Sequence, residues 1–248
     1  MLTKILTHFC IDICQQDMVR QITVSAPSKV ILHGEHAVVY GRSAVAASLD
    51  LRTRMYLTPL LKENSLQVYF PDVGVKQSWS GKTICEEIFD YKPNCTNDID
   101  PDFLTKIQIF VDANVANNEA SEAMDTTDEV KELQKSSLTC FFYLYALICE
   151  KFTPMSIKVE SEIPLGAGLG SSAALSVCLA SGLHAIKVRK AEFDNDALAK
   201  VCQFALISEK ILHGKPSGID NTVSTYGGFV HFKQGQLKSM LDSSKNTK

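Results

Sequence analysis

The chain has 248 residues, 45% hydrophobic and 21% charged, with a formal net charge of −3. That balance suits one large core or two small ones. It argues against a general nucleic-acid binder, which would be basic. No uninterrupted apolar run reaches the ~18 residues of a membrane span, so neither nucleic acid nor a membrane is an expected partner.

Eight cysteines are scattered through the chain: Cys10, Cys14, Cys85, Cys95, Cys140, Cys149, Cys178 and Cys202. None forms a CxxC pair. The pattern fits free thiols in a reduced, cytosolic setting. Cys10 and Cys14 lack the histidine or second pair that would complete a zinc set.

Residues 1–18 read as a variable N-terminal extension. Its apolar stretch is broken by His8 and Asp12, and no small-residue cleavage site follows. Ile22–Ser25 and Val30–Leu32 read as short strands around a turn at Pro27. Ala44–Leu49 suits a buried helical turn. Leu51–Leu57 and Gln67–Phe70 read as strands. From Lys92 to Glu129 the pattern collapses, with six acids and no base between Ile107 and Val130. A mobile insertion over about 92–130 is expected, carrying a short helix near Phe103–Phe110. Thr127–Lys151 is a long helix stopped by Thr153 and Pro154, and Met155–Glu160 is a strand. Helices follow over Ser172–Lys187 and Phe193–Leu212, the second ending at His213-Gly214. Val223–Thr225 and Phe229–Phe232 flank Gly227-Gly228, a hairpin or bulge signal. Residues 236–248 form a polar tail, and 19–235 read as one domain.

Three patches carry chemistry. Pro164–Ala174 reads PLGAGLGSSAA. Gly166, Gly168 and Gly170 let the backbone curl so that several N–H groups face one spot. Ser171 and Ser172 stand at the start of a helix, at the positive end of its dipole. That is an anion site, and a phosphate is the expected anion. A Walker loop would put lysine where Gly170 stands. A dinucleotide fingerprint wants an acid ending a strand about 20 residues on. Glu192 has the distance but lies between two helices. A glycine turn that only starts a helix is the plain alternative.

Ala26–Gly41 reads APSKVILHGEHAVVYG. It puts Lys29 at the mouth of a strand and delivers Glu35 and His36 beside Gly34. A lysine there is ordinarily solvated, but charged residues inside an apolar run need partners if buried. Glu209–Asn221 reads EKILHGKPSGIDN. Glu209 lies in the last turns of a helix, where the dipole disfavours an acid and a cation such as Mg²⁺ would compensate. Lys210 and Lys215 are the bland alternative. Gly214, Pro216 and Gly218 then present Asp220 at a loop end, where an aspartate is most often a cap.

Together the three patches resemble the GHMP kinases, the superfamily of galactokinase and of the homoserine, mevalonate and phosphomevalonate kinases. KVILHGEHAVVYG, PLGAGLGSSAALSVCLA and KPSGIDNTVSTYGG follow the pattern of the mevalonate kinase branch, from about Val19 to about Phe232. The resemblance implies an α+β fold, the GHMP N-terminal domain, similar to ribosomal protein S5 domain 2, with the C-terminal domain largely absent. It implies ATP-dependent phosphorylation of (R)-mevalonate to 5-phosphomevalonate in isoprenoid and sterol synthesis. It also implies a cytoplasmic or peroxisomal place, and a homodimer for the full-length family. Asp220 would take the proton from the substrate hydroxyl, with Lys29 beside it stabilising charge at the reacting oxygens. Ser172 and Glu209 would hold Mg²⁺. Pro164, Gly166, Ala167, Gly168, Leu169, Gly170, Ser171 and Ser172 would cradle the ATP phosphates. Glu35 and His36 would lie at the substrate end, with Ser217 nearby.

The alternatives are a truncated form that binds ATP or a partner without turnover, and another GHMP small-molecule kinase. RNA binding through the S5-like fold fits the acidic balance poorly. The sequence departs from the family at Ser28, where glycine is usual before the lysine, and over Lys92–Leu133. It also has no C-terminal motif of the kind TGAGGGGC.

Overall fold

The structure is a computed structural model that describes residues 10–16, 19–34, 36, 40–60, 62–94, 97–116, 127–189, 192–233 and 236–239. Among these, eight strands form one mixed sheet. In chain order they are β1 (Cys10–Gln16), β2 (Val19–His33), β3 (Ala44–Pro59), β4 (Ser65–Phe70), β5 (Val75–Ser80), β6 (Met155–Ser161), β7 (Phe229–Lys233) and β8 (Gln236–Ser239). The spatial order is β1-β2-β3-β6-β4-β5, with β7 on β3 and β8 beyond it. Only the β4–β6 pair is parallel among the pairs described. The strands alternate, as one-sided burial requires. Ile22, Val24, Met55, Leu57, Ile157 and Leu66 are buried. Thr23, Arg54 and Tyr56, between them in sequence, are partly exposed on the other face.

The helices are α1 (Gly81–Glu87), α2 (Pro101–Ala116), α3 (Asp128–Cys149), α4 (Ser171–Val188), α5 (Asn195–His213) and α6 (Ile219–Tyr226). α4 packs on β2 and β3 and against α3 and α5. Gly182 makes that approach possible, since a Cβ there would lie 2.8 Å from Leu57 Cδ1 and 2.9 Å from Met55 Sδ. Ser171–Val188 is in fact long and apolar enough to span a membrane by length and composition. Here it is the central core helix, with 67% of its residues buried.

Four local expectations are corrected. Ala44–Leu49 is strand rather than helical turn: β2 and β7 flank it on both sides, and such pairing overrides the weak strand preference of alanine. Its small side chains let α6 sit close, and Ala44, Ala46, Ile219, Val223, Val230 and Phe232 make a second small core. Pro27 does not turn the chain. β2 runs through it with a register shift between Pro27 and Ser28, where Pro27 faces Arg52 and Ser28 faces Leu49. A proline, having no N–H to donate, is tolerated at such a bulge. Val223–Thr225 lies in α6, which Gly218 opens in a left-handed conformation at φ 80 and Gly227 closes. The insertion holds the 16-residue α2 rather than a short helix. Within the expected extension and tail, Cys10–Gln16 and Gln236–Ser239 form β1 and β8.

Asp100 explains where α2 starts. Its Oδ1 accepts from the N–H groups of Asp102 and Phe103, 3.1 Å each, as an N-cap with proline at the first helical position. Its Oδ2 accepts from Asn94 N and the Tyr91 hydroxyl. Against its burial, the Asn94 amide first, then the Phe103 amide, the Tyr91 hydroxyl and the Asp102 amide hold this carboxyl below the usual carboxylate range. Asp100→Ala should cost about 1–2 kcal/mol, a drop in Tm of about 2–4 °C per kcal/mol for a chain of this size. A depressed folded pKa stabilises above the unfolded value, near 3.9. The difference between the two chains should therefore be full at neutral pH and shrink as pH falls through the depressed value. Melting curves from pH 7 downward check this.

Candidate active site

The site forms where β2, the α4 entry and the α6 entry meet. The bulge at Pro27/Ser28 re-aims the strand just before Lys29. Lys29 N–H then donates to Leu169 O at 2.9 Å, tying β2 to the glycine-rich loop. The Lys29 side chain lies across Gly170. A Cβ on Gly170 would sit 2.7 Å from Lys29 Cγ, and its φ of +74 also disfavours a side chain. Glycine is thus required there for the lysine as well as for the loop. Ser28 is fully buried, and its hydroxyl is among the described buried polar groups without a hydrogen-bond partner.

Gly166, Gly168 and Gly170 all have positive φ, so the loop alternates its curl. α4 begins at Ser171 with no side-chain cap. Its first turn of N–H groups has no partners within the helix and suits an anion.

Asp220 stands in the first turn of α6, and its Oδ2 is 3.1 Å from Lys29 Nζ. The lysine side chain is 8% exposed and the carboxylate 32%. Glu209, 3% exposed, comes from the last turns of α5. Its Oε1 accepts from Ser176 Oγ at 3.2 Å, and its Oε2 lies 3.5 Å from Ser172 Oγ. Burial raises the Glu209 carboxyl pKa and Asp220 adds to the rise, while His213 and the two serine hydroxyls pull it back. Among the described residues no basic side chain forms an ion pair with it.

A cavity of about 890 Å³ opens over these groups. Lys29, the loop from Pro164 to Ser172 and Asp220 all line it. Glu209 lies buried behind Ser172. Ser217 is exposed, and its Oγ accepts from Ile219 N at 3.3 Å, a turn contact at the α6 entry. His36 is exposed, and Glu35 lies outside the described residues. Sequence reasoning did not find the apolar wall of the cavity, made by Phe70, Val73, Leu133 and Val159. It also passed over His213, whose Nε2 is 3.0 Å from Ser172 Oγ. The spacing Glu209–His213, i and i+4 on one helix face, is the signal that could have found it.

The donor set fits Mg²⁺. Ser172 Oγ and Glu209 Oε2 are hard oxygens beside the loop, and among the described residues the buried carboxylate forms no direct ion pair, with His213 acting on it only through space. No group of three or more His, Cys, Asp or Glu residues that could hold a metal occurs among the described residues. One or two protein oxygens, completed by phosphate and water, is the ordinary way Mg²⁺ is held.

A curled glycine loop feeding a helix, beside a lysine–aspartate pair of which the lysine is buried, is an arrangement suited to holding a phosphate. Residues 138–228 match the family of the GHMP kinases N terminal domain. The chain is 34% identical over 235 residues to human mevalonate kinase, covering 90% of this chain and 56% of the relative. It is 35% identical over 232 residues to mevalonate kinase of Arabidopsis thaliana, covering 88% and 58%. The crystal structure of Methanococcus jannaschii mevalonate kinase shares the fold, with a TM-score of 0.59 at 23% identity, covering 88% of this chain and 55% of that one. The match to the GHMP kinase family lies within residues 138–228, and the chain spans about half the length of the curated relatives it matches.

Proposed function

We propose that residues 19–235 form an ATP-binding domain that transfers the γ-phosphoryl group of ATP to (R)-mevalonate, giving 5-phosphomevalonate. The observation that carries the reading is the 3.1 Å Lys29–Asp220 pair on a cavity whose other wall is the Pro164–Ser172 loop. The relatives at 34–35% identity over most of this chain, each named mevalonate kinase, support mevalonate as the acceptor.

Phosphoryl transfer asks for positioning and charge neutralisation more than for covalent chemistry. The loop amides and the first turn of α4 hold the phosphates. The apolar wall at Phe70, Val73, Leu133 and Val159 receives the nucleoside. Asp220 accepts the proton of the acceptor hydroxyl at its carboxylate. The Lys29 ammonium holds that carboxylate in place and stabilises charge on the transferring group. Mg²⁺ held by Ser172 and Glu209 would neutralise the phosphate oxygens.

The test is ADP release from ATP with each of mevalonate, galactose and homoserine as acceptor. Release that depends on mevalonate and saturates with it is the expected result. Release with another acceptor alone would move the chain to a different branch of the family. Nucleotide binding with no acceptor-dependent release would favour a non-catalytic role.

A further inference from the structure

Ser172 lies in a ladder built from two helices. Ser172 and Ser176 are four residues apart on α4, and Glu209 and His213 are four apart on α5. Such pairs share a helix face, and α4 packs along α5. Each rung is a hydrogen bond. Ser176 Oγ lies 2.9 Å from Ser208 Oγ and 3.2 Å from Glu209 Oε1. Ser172 Oγ lies 3.5 Å from Glu209 Oε2 and 3.0 Å from His213 Nε2. His213 is the last residue of α5, and Gly214 N–H closes the helix onto Lys210 O at 2.8 Å.

A serine hydroxyl has one proton and two lone pairs. To give a lone pair to a metal, Ser172 must send its proton away from the metal. Two acceptors are in reach. Glu209 Oε2 is at the outer limit of a hydrogen bond and is itself an oxygen the metal would need. His213 Nε2 is closer, within the normal range. If the histidine accepts, Ser172 keeps a lone pair for the cavity and Glu209 keeps Oε2 unshared, while Ser176 fixes Oε1. Accepting at Nε2 requires the tautomer with its proton on Nδ1.

We propose that His213 is a positioning residue for the nucleotide's metal. Its Nε2 accepts the Ser172 hydroxyl proton and so turns a Ser172 lone pair, and the free Glu209 oxygen, toward a divalent cation. This deepens the phosphotransfer reading and rests on it. In this reading His213 acts through Ser172.

The experiment measures binding of ATP to the chain with Mn²⁺, as a paramagnetic stand-in for Mg²⁺, and again in EDTA. Wild type, His213→Ala, His213→Gln and Ser172→Ala are compared after melting curves confirm folding. Removing a partner that orients a metal ligand typically lowers metal affinity ~10–100-fold. His213→Ala should therefore weaken Mn²⁺-ATP binding by at least ~10-fold and leave ATP binding in EDTA unchanged. His213→Gln, whose amide oxygen can accept, should recover part of the loss. His213→Ala at wild-type Mn²⁺-ATP affinity, with Ser172→Ala weakened, would overturn the role of His213 alone. Equal weakening with and without metal would overturn it too, since the residue would then only shape the loop. A wild-type chain that gains nothing from Mn²⁺ would overturn the metal site itself, and this proposal with it.

Discussion

Replacing Asp220 by asparagine is expected to lower turnover with mevalonate by ~10²–10⁴-fold, the usual contribution of a positioned acid–base group. ATP affinity should stay close to wild type. The carboxylate sits in the first turn of α6, 32% exposed, and asparagine keeps its size and its place. What asparagine cannot do is accept the hydroxyl proton. The steady-state constants separate two roles for Asp220. A fall in kcat with a steady KM for ATP is the signature of proton transfer. Near-normal kcat with a lower Tm would reduce Asp220 to a helix-end residue.

The second large effect is expected at Lys29. Lys29→Met keeps the length of the side chain that crosses Gly170 but removes its charge. A single charge aimed at the transferring group is worth ~10²–10³-fold in turnover, by comparison with a lost oxyanion donor. The fold should survive, because the orphaned partner is a partly exposed carboxylate that water can solvate. Single-turnover rates and a melting curve on the same sample test both halves. A large loss of Tm would mean that the ion pair is chiefly structural. Lys29→Arg is not a safe control, because a planar guanidinium would have to fit the space against Gly170.

Much of this site is legible in the amino-acid sequence itself. Glycines alternate in Pro164–Ala174 for a backbone reason, and charges beside glycines in an apolar run stand out against it. Glu209 is conspicuous because it sits at the wrong end of a helix dipole. What the sequence hides comes from distant neighbours. Ala44–Leu49 becomes strand only because β2 and β7 pair on both sides of it. Val223–Thr225 becomes helix only because α6 covers those same alanines. α2 starts at Pro101 because of Asp100, whose carboxylate gathers groups from both sides of the α2 entry. The apolar wall of the cavity draws on β4, α3 and β6, segments far apart in sequence with no shared motif. His213 shows the intermediate case, its spacing from Glu209 readable but its partner Ser172 placed only by helix packing.

Transfer of phosphate to an alcohol by the loop and the Lys29–Asp220 pair is the central claim. Phosphorus-31 NMR of a reaction holding the chain, Mg²⁺-ATP and (R)-mevalonate tests it most directly. The predicted result is a new phosphomonoester resonance that grows as ATP converts to ADP, and none with Asp220→Asn on the same timescale. ATP that stays bound and intact with mevalonate present, or a monoester formed equally well by Asp220→Asn, would contradict it.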